Sequence, residues 1–383
     1  MLRILIENTS IVSSGSSNIK KRFIERGYVY IRDGFIKDVG EGESPEEYRY
    51  PDLLIEGESR LVAPGLIDGY SISYLTPLKH LIEVFKKRKR DQVRIEREIK
   101  SLLSDTDIYY LLILGIASRI LRGITTVVTE VPKIDLAIRI LDLLSVRLIS
   151  VFDIDEYKPE ESVDFVLKIA RYNRYKEDLL RIAFYSTKQE VIKSIIEYVP
   201  RESVILIPWS LCEKFQNEKN IVVVNPPPGY CENMVRILTR TDASISDKKI
   251  LLGTGYTRTS IVTRDMLSRL DEENLRSMDL LDRVSRDVAE VFQLPTGSVE
   301  KGFYSDIVVY DLSQPPAPPY YLDEEILPRV ILDETPRIET IIIGREVVLD
   351  GGEILSLGSG VLKKAYRKLN DLVRDLMRKS MGD

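Results

Sequence analysis

Between residues 61 and 300, short apolar runs rich in β-branched residues recur, most of them followed by a segment long enough for a helix. That alternation specifies buried parallel strands joined by crossovers. A strand covered on both faces loses the apolar/polar alternation of a half-exposed one and reads as a continuous apolar run. The qualifying runs are Leu66-Ile67-Asp68, Thr125-Thr126-Val127-Val128-Thr129, Arg147-Leu148-Ile149-Ser150-Val151-Phe152, Arg181-Ile182-Ala183-Phe184-Tyr185, Val204-Ile205-Leu206-Ile207-Pro208, Ile221-Val222-Val223-Val224 and Ile250-Leu251-Leu252-Gly253. A full (β/α)8 barrel needs one strand more. Ser210 to Asn220 is also too short for a crossover helix. The expectation is an α/β protein with a TIM-like (β/α)7–8 barrel of irregular form.

The chain ends follow a different grammar. Tyr28–Ile31 and Phe35–Val39 flank Arg32-Asp33-Gly34, where Asp-Gly supplies the positive φ angles of a tight hairpin. Asp306–Tyr310, Glu339–Ile343 and Glu346–Leu349 are further strands, with turns at Gly344-Arg345 and Asp350-Gly351-Gly352. Neither group has enough apolar surface for a core of its own. The economical reading is a composite β-sandwich from residues 1–60 and 301–358, with the barrel (61–300) inserted and a C-terminal helix (359–383) appended. In that tail Leu362, Ala365, Tyr366, Leu369, Leu372, Val373 and Leu376 share one helical stripe, which suits docking on its own domain or on a second subunit.

Bulk properties exclude several classes. No apolar run reaches the ~18 residues of a membrane span, and Met1 to Glu7 turns polar too soon for a signal peptide, so a cytoplasmic protein is expected. The formal net charge of -5 gives no general attraction for nucleic acid. Lys86 to Arg90 is a basic cluster, but Glu96 and Glu98 follow and no aromatic residues interleave, so it reads as a solvated helix face. Charged residues make up 30% of the chain while histidine occurs once, a bias like that of hyperthermophile proteins. Cys212 and Cys231 lack metal-type spacing and read as buried thiols. Pro315 to Pro319 reads as a stiff polyproline connector.

Five segments carry a resemblance: Val62-Ala63-Pro64-Gly65-Leu66-Ile67-Asp68, Gly123-Ile124-Thr125-Thr126-Val127-Val128, Val224-Asn225-Pro226-Pro227, Leu252-Gly253-Thr254-Gly255, and Gly297 to Gly302 with Ser305 to Val309. Each is weak alone. In this order they resemble the amidohydrolase superfamily over nearly the whole chain, and specifically its cyclic-amide branch of dihydroorotases, dihydropyrimidinases and related deaminases. The resemblance implies a barrel hydrolase that uses divalent metal to lower the pKa of a bound water to about 7. The implied ligands are a His-x-His pair, a mid-barrel acid or carbamylated lysine, two further histidines and an aspartate. In this sequence the paired positions are Tyr70 and Ile72, and the aspartate position is Gly255. His80 lies beyond the motif in a helical run.

Barrel enzymes place chemistry at the C-terminal strand ends. The candidates there are Glu130, Asp153 and Asp155 as acid/base carboxylates or an all-oxygen site for one divalent metal outside the family's usual positions. Asp68, Tyr70, Trp209, Asn225 and Tyr256 are the candidate lining of a ligand pocket. Asp68 also reads as a structural hydrogen-bond acceptor, and Asn225 as a turn residue. Two functions follow as expectations. One is a cofactor-free, non-hydrolytic protein that binds a small heterocycle, regulates, or assembles as a homo-oligomer or with an enzyme subunit, as dihydroorotase-like scaffolding subunits do. The other is a hydrolase of non-peptide C–N bonds in cyclic amides or amino-heterocycles, working through the strand-end carboxylates. Neither a nucleic-acid nor a membrane partner is expected.

Overall fold

A computed structural model describes residues 2–15, 22–89, 92–240, 247, 249–315, 323–333 and 336–381. Side chains 88, 89, 92–94, 177 and 379–381 are not described within it. Two sheets organise the chain. The first takes β1 (Arg3–Val12), β2 (Phe23–Arg32), β3 (Phe35–Glu41), β4 (Leu53–Glu56) and β5 (Arg60–Pro64) from the N-terminal end. The second is the barrel: β6 (Leu66–Ser71), β7 (Ile124–Glu130), β8 (Arg147–Asp153), β9 (Leu180–Tyr185), β10 (Ile205–Pro208), β11 (Ile221–Val224), β12 (Val235–Leu238) and β13 (Ile250–Leu252). The chain then returns to the first sheet with β14 (Ile307–Asp311), β15 (Arg337–Ile343), β16 (Glu346–Asp350) and β17 (Glu353–Ile354).

The first sheet therefore draws on both chain ends, through β5 paired parallel to β1 and antiparallel to β14. Its nine strands are hydrogen-bonded as one mixed sheet. One face closes on an apolar cluster that includes Ile6, Val29, Val62, Val309 and Ile342. The other face, with Leu61, Ala63 and Val308, joins the barrel core. The boundary differs from the sequence expectation: residues 61–64 pair within this sheet, and the barrel starts at Leu66. Asp33 and Gly34 take φ of 55° and 81° between β2 and β3, as a tight hairpin requires.

All eight barrel strands run parallel in sequence order. The strand missing from the sequence reading is β12. It was overlooked because no helix separates it from β11, so its apolar run Val235 to Leu238 lacked the crossover that marked the others. The β10–β11 connection holds only the short turns Trp209–Leu211 and Cys212–Phe215. The barrel is thus irregular on that side. There the cysteines also depart from expectation: Cys212 and Cys231 are paired as a disulfide, Cα–Cα 5.8 Å, because the β11–β12 loop folds back over the end of β10. Pro316 to Pro319 lie outside the described residues.

Closure falls between β6 and β13. The Gly255 N–H donates to the Tyr70 carbonyl at 3.0 Å, and the Ile72 N–H to the Gly255 carbonyl at 3.1 Å. Two glycines permit this approach. A Cβ on Gly69 would meet the Leu252 carbonyl oxygen at 2.7 Å, and one on Gly253 would meet the Tyr70 backbone at 2.5 Å.

Helices surround the barrel. Between β6 and β7 lie α1 (Lys79–Lys89), α2 (Gln92–Leu102) and α3 (Asp105–Ile120). Ser104 caps α3: its hydroxyl accepts from the Asp107 N–H, and the Asp107 carboxylate accepts from the Ser104 N–H. The C-terminal helix Ser359–Met381 packs along α3, burying Ala365 and Leu376 and leaving Tyr366 exposed. The rest of its stripe, Leu362, Leu369, Leu372 and Val373, is half-buried.

One half-buried acid carries a pH signature. Asp287, in the helix Arg286–Val291, is pushed up from 3.8 to about 6, chiefly by burial, with Asp282 and Glu290 adding to the shift and Arg283 and Arg286 opposing it. The folded state then holds this proton more tightly than the unfolded chain. The stabilising contribution is complete below pH 3.8 and is lost as pH rises through about 6. Asp287→Asn is expected to add about 1–2 kcal/mol at pH 7 and nothing near pH 4. Urea unfolding of the two proteins at both pH values checks this.

Candidate functional site at the barrel mouth

The C-terminal ends of β6, β7, β8, β9 and β13 meet under α1 and α2. Helix α2 folds back on α1: Lys86 Nζ lies 2.7 Å from Glu96 Oε1, whereas ten residues of unbroken helix would put them about 15 Å apart. The apolar stripe of this hairpin, Ile82, Phe85, Ile95 and Ile99, is buried against the barrel. The residue after Phe85 is Lys86, and the residue after Ile99 is Lys100. Both are carried inward at the edge of the stripe. The sequence reading of Lys86 and Glu96 as a solvated face is therefore corrected: they are ion-paired and largely covered. Arg88 and Lys89 side chains, and Arg90, fall outside the description.

Beneath the hairpin two polar clusters fill the mouth. In the first, the Tyr70 hydroxyl donates to Glu130 Oε1 at 2.5 Å, and Lys100 Nζ donates to Glu130 Oε2 at 2.5 Å. The Tyr74 hydroxyl reaches the same Oε2 at 3.4 Å, and Lys100 Nζ lies 5.9 Å from the Tyr74 ring centre. In the second, the Tyr256 hydroxyl donates to Glu96 Oε1 at 2.5 Å, and Lys86 contacts both groups. Burial is the main force raising the phenols of Tyr70, Tyr74, Tyr185 and Tyr256 above their ordinary range. Carboxylate neighbours add to it: Glu130 for the first three and Glu96 for Tyr256. All four remain neutral donors at physiological pH.

Asp68 serves the barrel rather than the mouth. Fully buried, it takes Arg119 Nε of α3 at 2.7 Å and the Thr254 N–H and hydroxyl at 2.8 and 2.5 Å. Arg119 also reaches Thr76 and the Gly255 carbonyl. The β6–β13 seam is thus tied by a charged network with no water contact.

The three carboxylates read as a catalytic or cation site stand close enough to feel one another's charge, but each is held differently. Glu130 is engaged as above. Asp153 stands exposed at the rim, its carboxyl raised by desolvation and by the charges of Asp155 and Glu130. Asp155 is engaged by the turn that follows β9: it accepts from Ser186 Oγ at 2.7 Å, and from the Thr187 N–H at 2.8 Å and hydroxyl at 2.5 Å. Among the described residues no group of three His, Cys, Asp or Glu side chains is disposed to hold a metal ion. Of the suggested pocket lining, Tyr70 and Tyr256 meet the mouth. Trp209 is instead 43% exposed and packs edge-on to Tyr230 at 5.3 Å. Asn225 takes φ 49° and bonds Thr239, tying the ends of β11 and β12. His80 projects from α1 toward Glu83 with 82% of its side chain exposed.

The sequence reading missed Lys100, Tyr74, Tyr185 and Arg119. A signal for Lys100 existed: it follows Ile99, which with Ile95 forms an i, i+4 apolar pair, so it sits at the boundary of a buried face.

The architecture, an eight-stranded parallel barrel carrying a mixed sheet built from both chain ends, is that of the amidohydrolases. Solved structures of this fold include the zinc complex of atrazine chlorohydrolase TrzN from Arthrobacter aurescens TC1 (TM-score 0.73, 15% identity, covering 97% of this chain and 100% of that one). An adenosine deaminase from Xanthomonas campestris with bound zinc is also similar (TM-score 0.77, 13% identity, 98% and 99% covered). In sequence the chain is similar to 5-methylthioadenosine/S-adenosylhomocysteine deaminases. The Pyrococcus furiosus enzyme is 22% identical over 90% of this chain and 96% of its own length. The Syntrophomonas wolfei enzyme is 34% identical over 126 residues, 33% of this chain and 28% of that enzyme. The chain thus matches little more than a quarter of the Syntrophomonas relative. No family model matches. These relatives are deaminases and a chlorohydrolase, and they lend no support to the dihydroorotase-like subtype read from Asn225-Pro226-Pro227. No helix among the described residues is long and apolar enough to cross a membrane.

Proposed function

We propose that this chain is an amidohydrolase-fold protein that binds at its barrel mouth without metal-assisted hydrolysis. The observation that carries the reading is Tyr70, at the first position of the expected metal-binding pair, donating a hydrogen bond to Glu130 while Lys100 neutralises the same carboxylate. Ile72 and Gly255 offer no side-chain donor. A divalent ion needs several anionic or imidazole groups converging, and these residues do not fit one.

A second reading, hydrolysis of a C–N bond in an amino-heterocycle, is favoured by the comparisons: the named sequence relatives are deaminases, and a zinc-bound adenosine deaminase shares the fold. In that case Glu130, the buried carboxylate of the mouth, would exchange protons with the substrate. The first reading leads because reactivity resides in the side chains at the site and not in the fold that presents them.

One experiment separates the two. The protein is produced with zinc in the medium, its metal content is measured after dialysis, and ammonia release is assayed with 5-methylthioadenosine, S-adenosylhomocysteine and adenosine. The expected result is sub-stoichiometric metal and no turnover above blank. Ammonia release that Glu130→Gln abolishes would establish the second reading and overturn the first.

A further inference from the structure

The mouth contains a cation, and the chain supplies it. Lys100 enters from the hairpin and places its ammonium against the Glu130 carboxylate, beside the face of Tyr74. Tyr70 fixes the other carboxylate oxygen. The surroundings are those of a site for an organic cation: one carboxylate at the base, its second oxygen held by a neutral donor, and the Tyr74 ring alongside. Asp153, raised but exposed at the rim, adds negative potential at the entrance. Lys100 is not built into the barrel wall. It belongs to α2, eleven residues joined to α1 by the chain at 90–91, and its side chain remains 31% exposed while that of Glu130 is 11% exposed. An aliphatic stem thus runs from solvent inward to a buried carboxylate.

We propose that the barrel mouth is a binding site for a small primary alkylammonium ion, the position that Lys100 fills in this structure. The inference deepens the non-hydrolytic reading by naming a ligand class. It is read out independently, since neither zinc content nor ammonia release enters the test. Binding in the intact protein requires the ligand to displace Lys100, so the tethered lysine competes at high effective concentration. Removing the lysine stem leaves a vacancy with the shape of n-butylammonium.

The test is thermal unfolding of full-length Lys100→Ala titrated with n-butylammonium chloride. Controls are n-butanol, sodium chloride at matched ionic strength, and the same titration of Lys100→Ala/Glu130→Gln. The expected result is a saturable rise in Tm of roughly 5 °C for the single variant. Butanol, salt and the double variant should give none of it, and wild type should need at least about tenfold more amine. No rise beyond salt overturns the proposal, and so does an equal rise with butanol or in the double variant. Should Lys100→Ala fold poorly by itself, its refolding yield with and without the amine reads the same site, and no gain in yield overturns it.

Discussion

Replacing Arg119 by methionine is expected to cost about 3–5 kcal/mol of folding stability, because it strands the Asp68 carboxylate in a site closed to bulk solvent. Both side chains are 0% exposed. Asp68 would keep its two bonds from Thr254 and lose the guanidinium paired to its Oδ2. The consequence is local to the seam, since β6 and β13 meet through few backbone bonds and otherwise rely on this network. Asp68→Asn/Arg119→Met should recover part of the loss, as the two positions are in direct contact and their effects do not add. Urea unfolding of the two single variants and the double variant measures it, and a loss under about 1 kcal/mol for Arg119→Met would show that the seam does not depend on the pair.

A loss of similar size is expected at the other end of the barrel. Arg147, at the start of β8, makes a two-pronged contact with Asp306, which directly precedes β14: Nε to Oδ2 at 2.6 Å and Nη2 to Oδ1 at 3.0 Å. Asp306 also accepts from the Thr296 hydroxyl and the Gly344 N–H, and the guanidinium lies 4.1 Å over the Tyr304 ring. Barrel and sheet are welded here by a pair that is 1% and 0% exposed. Arg147→Ala should cost about 3–5 kcal/mol. Arg147→Lys should recover little, because an ammonium cannot reproduce the planar fork. Faster proteolysis between barrel and sheet accompanies the loss if the pair holds the junction, and limited trypsin digestion followed by mass spectrometry locates the cuts.

The parts legible in the sequence were those written in local patterns. The β-branched runs gave seven barrel strands, and Asp33-Gly34 gave the first hairpin. Asp68 reads as a structural acceptor, and inside β6 it takes Arg119 and Thr254 as its donors. What escaped depended on distance along the chain. Lys100 meets Glu130 across thirty positions, and no local periodicity announces such a meeting. Arg119 reads as an ordinary residue near a helix end, yet it turns under the barrel to Asp68. The disulfide escaped because two cysteines reveal no partner until the β11–β12 loop is seen to return over β10. The buried side of the hairpin is hidden in the sequence because its charged residues outnumber its apolar ones. Only the folded-back arrangement shows which charges point inward.

Helix α3 bears on three places at once. Its first turn follows the two short helices that roof the strand ends, its last turn carries Arg119, and its flank receives the C-terminal helix, where Lys364 sits 5.6 Å from the Tyr110 ring. The tail therefore works as a brace. It lies against the one helix that runs from the roof over the strand ends to the stitched seam.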